Sequence, residues 1–122
     1  MSSDHPDRGL CATYLAAMEV LAKPWTGLLM VVLEDGPLRF SEISDRVPDI
    51  ADRMLAARLK ELETRKLVAR EVHPGPPVRV TYGLTEVGRG YKEVSVAIGR
   101  WGALILREKA KDVAPKRTRR AG

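Results

Sequence analysis

The feature that most restricts this chain is a change of hydrophobic period at Lys66. Before it, Leu55, Leu59 and Leu62 recur at helical spacing in a segment running from Asp52 to about Arg65. After it, Leu67 to His73 and Val78 to Leu84 alternate with a period of two. Pro74-Gly75-Pro76-Pro77 separates these two runs, so they read as the strands of a β-hairpin. The prolines sit in the loop, where they remove no ladder hydrogen bonds. A shorter helix comes before the leucine-rich one. Arg39-Phe40-Ser41-Glu42-Ile43 reads as its start, with Ser41 as N-cap and an acid after it. Ile43 and Val47 face inward, and Pro48 ends it. The tight turn Pro48-Asp49-Ile50-Ala51 leads into the longer helix.

Short helix, turn, longer helix and hairpin together define the expected fold: mainly α with a small β-hairpin wing, a winged helix-turn-helix. Further helices flank it. Tyr14 to Ala22 is helical through Leu15, Met18 and Leu21. Pro24 suits the first turn of another helix, through Trp25, Leu28, Leu29, Val32 and Leu33, which Asp35-Gly36-Pro37 stops. From Thr85-Glu86 a long final helix is expected. In it Val87, Tyr91, Val94, Ile98, Trp101 and Ile105 recur in steps of four and three, a heptad seam. So narrow a seam docks on its own fold or on a second copy. The expected division is a flexible arm over 1–10, the domain over 11–106 and a basic tail over 107–122.

The chain has 122 residues, enough for one domain, and a net charge of +5. Its location matters more than its size. Residues 107–122 hold seven Lys/Arg and two acids, and the rest of the chain is neutral. The tail is therefore either a solvated end or a source of sequence-independent phosphate attraction. No apolar run approaches a membrane span, and the N-terminus has no signal core, so a cytoplasmic protein without a membrane partner is expected. Cys11 is the only cysteine, accompanied by two histidines, His5 and His73. An intramolecular disulfide and a four-ligand metal site are both excluded. No phosphate loop, nucleophile-base set or cofactor motif is present, so an enzyme is not expected.

On the longer helix, Arg53, Ala56, Ala57 and Lys60 lie opposite the leucines. Small residues with two long cations suit close entry into the major groove of double-stranded DNA. Arg53 fits a guanine edge, and an alanine methyl fits a thymine methyl. Arg58, at the edge of the buried stripe, is read as a phosphate ligand, with Arg39 and Ser41 at the entry of the first helix. His73 and Arg79, across the hairpin, reach toward the minor groove or backbone. Singly, each is equally well a surface cation; the order of elements makes the set diagnostic. Cys11 is either an inert small residue or a sensor thiol near a helix start, where the dipole favours thiolate. Two rivals remain. One is a ligand pocket between dimer helices and wing, lined by Tyr14, Trp25 and Trp101. The other is a winged-helix protein-interaction module, which would lack the steep salt dependence of phosphate binding.

Several segments together carry a resemblance. They are Cys11, Lys23-Pro24-Trp25-Thr26, Asp35 to Ile43, Met54 to Glu63, and Pro77 to Gly88. Over about residues 11–104 the chain resembles the HxlR-type winged-helix regulators, particularly their YodB-like, quinone-sensing branch. The resemblance implies a homodimeric repressor on a palindromic operator, paired through its N- and C-terminal helices. It also implies release by a quinone, another electrophile or a small-molecule inducer, with Cys11 at the redox-sensing position. Pro24 and Ala51 depart from the pattern, which has a basic residue and a capping serine there. The second, C-terminal cysteine of some branch members is also missing. A disulfide would have to join two molecules, whereas alkylation needs only the one thiol.

Overall fold

The computed structural model describes residues 6–121, with side chains from Cys11 to Asp112. The chain divides into two units, the first ending at Arg89 and the second beginning at Gly90.

Helix α1 spans Pro6–Leu21. It starts inside the segment expected to be a flexible arm; residues 1–5 lie outside the described residues. A proline is well suited to a first helical position. Cys11 is therefore in the second turn, beyond the first turn in which the helix dipole acts. Helix α2 spans Thr26–Val32, and a 3-10 turn follows over Leu33–Asp35. Pro24 and Trp25 lie in the turn before α2 rather than inside it. Trp25 takes a left-handed backbone, φ 76°, which breaks the helical register.

Gly36, at φ 142°, turns the chain into a strand absent from the sequence expectation, β1 (Leu38–Arg39). The hairpin itself is β2 (Val68–His73) and β3 (Arg79–Leu84), paired from Val68↔Leu84 to His73↔Arg79. β1 adds to the other edge of β3 through Leu38↔Tyr82 and Arg39↔Thr81. The wing is thus a three-stranded antiparallel sheet in the order β1-β3-β2. Gly83 makes room for it: a Cβ there would stand 3.1 Å from Pro37 Cγ.

Helix α3 spans Phe40–Arg46. Its N-cap position is Arg39, so Ser41 is a helical residue and not the cap. Glu42 Oε1 accepts the Arg39 backbone N–H at 2.8 Å and satisfies the donor that a Ser41 cap would have left further out. Helix α4 spans Asp52–Thr64 and buries Leu55, Leu59 and Leu62 as the spacing predicts. With Leu29, Leu33, Ile43 and Val68 these are the fully buried side chains of the first unit. Each contributes on the order of 1.5–3 kcal/mol by leaving water. Lys66, left-handed at φ 64°, ends α4 and lets Leu67 N–H bond to Leu62 O at 2.9 Å.

The long final helix is interrupted. Helix α5 is only Glu86–Arg89, and α6 begins at Tyr91 after a turn at Gly90. The helical run expected from Val87 to Ile105 is thus divided between α5 and α6. Thr85 holds α5 by accepting the Gly88 N–H and donating to Lys66 O. Gly88 is buried against the Leu67 carbonyl, which any Cβ would strike. Within α6, Val94, Ile98, Trp101 and Ile105 are exposed, Trp101 at 66%. The α6 backbone stays helical to Ala121, through the region expected to be a tail. The side chains of Lys116, Arg117, Arg119 and Arg120 lie outside the described residues. No single described helix is long and apolar enough to cross a membrane.

Ala51 occupies the N-cap of α4 and supplies no side-chain hydrogen bond, and neither Asp49 nor Asp52 replaces it. Asp52 instead accepts from Ser44 Oγ at 3.2 Å. Ala51→Ser is expected to raise stability by about 1 kcal/mol, read from urea unfolding midpoints at unchanged slope.

Candidate nucleic-acid interface

Burial of the α4 leucines decides which side chains α4 offers to solvent. Arg53, Ala56, Ala57 and Lys60 are all exposed, as the helical spacing requires. Among the described residues, Arg53 and Lys60 have no ion-pair partner, so their charges are free for an anionic ligand. Lys60 and Ala57 also border a cleft against α1, so the outward face is flanked on one side.

The wing adds a second basic surface through register alone. Residues paired across an antiparallel sheet share a face. Arg39 pairs with Thr81, and His73 with Arg79 two positions along, so Arg39, His73 and Arg79 lie on one face of the sheet. β1, missing from the sequence reading, is what brings Arg39 there. Arg79 is exposed and carries no ion pair among the described residues. His73 is less free: its Nε2 lies 2.9 Å from Thr81 Oγ1, which braces the ring within the hairpin. Arg39 faces Glu42 at 3.8 Å, a half-exposed pair of the weak kind. Glu42 itself is held below its usual carboxylate value, first by the Arg39 backbone N–H and then by the Arg39 and Arg46 charges.

Arg58, expected as a phosphate ligand, has its guanidinium engaged by acceptors of its own chain. Its side chain is only 12% exposed. Nε donates to Pro24 O at 2.9 Å, and one terminal nitrogen lies 3.3 Å from Glu61 Oε1. A guanidinium beside the buried stripe must find acceptors inside, and the turn before α2 supplies one. Lys23, from that same turn, donates to Glu61 Oε2 at 2.6 Å. This knot of Lys23, Pro24, Arg58 and Glu61 was missed because no spacing rule links residues so distant in sequence. The one available sign was the position of Arg58 at the edge of the leucine stripe.

Cys11 is exposed. Tyr14 is 61% exposed and Trp25 half-buried, and neither lines the cleft between α1 and α4. Trp101, named with them in the rival ligand-pocket reading, belongs to the second unit. No group of His, Cys, Asp or Glu among the described residues is arranged to hold a metal ion.

A family profile described as HxlR-like helix-turn-helix matches residues 20–112. The chain belongs to the HxlR family. It is 45% identical over 92 residues to the HTH-type transcriptional regulator YodB of Bacillus subtilis strain 168, covering 75% of this chain and 82% of that relative. The crystal structure of quinone-bound YodB from B. subtilis superposes with a TM-score of 0.68 at 40% identity, over 77% of this chain and 99% of that one. The redox regulator HypR in its oxidised form gives 0.69 at 35% identity, over 75% and 94%. The protein is thus a transcriptional regulator of the helix-turn-helix type with a winged-helix fold, and its relatives are not enzymes.

The Lys23–Glu61 contact has a pH signature. The Lys23 hydrogen bond, aided by the Lys23 and Arg58 charges and opposed by desolvation, holds the Glu61 carboxyl below its ordinary value of 4.5. A lowered folded value stabilises the protein above the unfolded value, and this is lost as pH falls through the folded one. The stability difference between wild type and Glu61→Gln should be largest near neutrality and shrink below pH 4.5. Thermal melts across that range check it, and a constant difference would show that Glu61 ionisation has no part in the knot.

Proposed function

We propose that this regulator binds an inverted-repeat DNA operator as a homodimer, represses the genes behind it, and is released when Cys11 is modified. The observation that carries the reading is the outward face of α4, where Arg53 and Lys60 flank Ala56 with no acids paired to them. A helix so furnished sits closely in a major groove, with Arg53 near its N-terminus at the base edges. Arg39 and Arg79 on the wing supply backbone or minor-groove contacts. Ala56 and Ala57 leave room and offer methyl contacts; Ser41 and His73 supply polar contacts beside them.

Pairing would use the exposed apolar rows of α1 and α6. Tyr14, Leu15 and Met18 on α1 and Val94, Ile98, Trp101 and Ile105 on α6 are too exposed for a chain that stays alone in water. Tyr91 extends the α6 row, and Val87 lies beyond the break at Gly90. Two recognition helices set roughly 34 Å apart would read half-sites one turn of B-DNA apart. Cys11 lies on α1 among the residues assigned to pairing, so an adduct there would alter the distance between reading heads. Support comes from the quinone-bound state of YodB. With one cysteine in the chain, alkylation of each copy is the simplest covalent route, and an intermolecular disulfide the other.

A gel shift on the DNA upstream of the protein's own gene tests the whole scheme. Wild type should bind specifically and leave on addition of a mild quinone, and Cys11→Ser should bind equally and stay. Release of Cys11→Ser by quinone would sink the thiol mechanism and leave DNA binding intact. Arg53→Ala should cost about 1–3 kcal/mol and relax one operator position, whereas Arg79→Ala should weaken all sequences alike and lower the salt slope by about 1.

A further inference from the structure

We propose that the cleft between the end of α1 and the second half of α4 binds a small organic monoanion, a carboxylate on an apolar body. This rests on the regulator reading above and supplies it with a second, non-covalent effector site. The cleft has a volume of about 530 Å³, within the range of roughly 300–1,000 Å³ typical of small-molecule sites. Val20 and Leu62 give it an apolar wall. Thr26 also lines it, and at 4% exposure is the sole buried polar or charged residue among those described. Its hydroxyl both donates and accepts, which suits a carboxylate oxygen.

Charge selects the class of ligand. Three cations border the cleft, Lys23, Lys60 and Arg65, against two carboxylates, Glu19 and Glu61. Both carboxylates are already matched, Glu61 with Lys23 at 2.6 Å and Glu19 with Arg65 at 3.9 Å. Lys60 is the unmatched charge. One negative charge balances it, whereas a cation would add to the excess. Because Lys60 also belongs to the DNA-facing side of α4, a ligand that occupies its ammonium withdraws it from a phosphate. Anion and operator then bind with negative coupling, and each weakens the other by the same factor.

The test uses the full chain, with sodium benzoate as probe and benzamide as its uncharged counterpart. Amide spectra should show saturable shifts centred on Val20, Thr26 and Lys60, with benzamide at least about tenfold weaker. Benzoate should lower operator affinity. Val20→Phe, which fills the cleft, should abolish both effects while still binding operator; Val20→Leu serves if the larger side chain prevents folding. No saturable shift, equal binding of benzamide, or benzoate binding untouched in a folded Val20 variant each overturns the site. Operator binding is measured separately. A protein that binds operator but not benzoate loses only this site, and one that binds benzoate but no DNA keeps the site and loses the operator reading.

Discussion

The structure depends first on the burial of one face of α4. Leu55, Leu59 and Leu62 are withdrawn from water, and at 100° per residue the same rotation turns Arg53, Ala56 and Lys60 outward. No separate device orients that outward face. The rotation also sets Arg58 beside the core, where a guanidinium cannot be left without acceptors. Pro24 O and Glu61 meet that need, so the burial that creates the outward face also ties α4 to the turn between α1 and α2. The left-handed Trp25 lies within that turn, next to the carbonyl that Arg58 holds.

The wing follows a parallel logic. A lone two-stranded hairpin is marginal in water. β1 makes it three-stranded, and it forms because Gly36 reverses the chain and the absence of a side chain at Gly83 admits Pro37. Arg39 ends that strand and is also the N-cap position of α3, where its N–H bonds to Glu42. One residue thus joins the sheet to the helix-turn-helix and carries a cation on the same face as Arg79. At the other end, Thr85 and buried Gly88 seat α5 on the start of β2.

What the sequence made legible was whatever depended on period. The leucines of α4, the alternation of β2 and β3 and the inward Ile43 and Val47 all appear where spacing places them. So do the exposed positions of Arg53, Ala56 and Lys60, because they follow from the leucines. What escaped was decided by contacts between distant segments or by single backbone residues. β1 is two residues long, too short for any alternation to register. Arg58 looked like a surface cation because its acceptor, the Pro24 carbonyl, is a backbone atom 34 residues away. The step pattern from Val87 to Tyr91 fits a heptad, yet Gly90 interrupts the helix between them. Ser41 had the right chemistry for a cap, but Glu42 reaches back one residue further and moves the helix start to Phe40.

These contacts differ in what they can transmit between α1 and α4. Lys23 and Glu61 are 53% and 38% exposed, so solvent and salt screen their attraction and little positional force passes through it. The bond from Arg58 to Pro24 is made by a side chain only 12% exposed. A charged donor to a backbone carbonyl is typically worth about 1.5–3 kcal/mol, and losing it leaves a guanidinium without its acceptor in a desolvated place. The turn before α2 is therefore held to α4 chiefly by Arg58, with Lys23 and Glu61 as a screened supplement. Any displacement of the α1–α2 turn must either carry α4 with it or break that bond. This couples the turn between α1 and α2 mechanically to the outward face of α4.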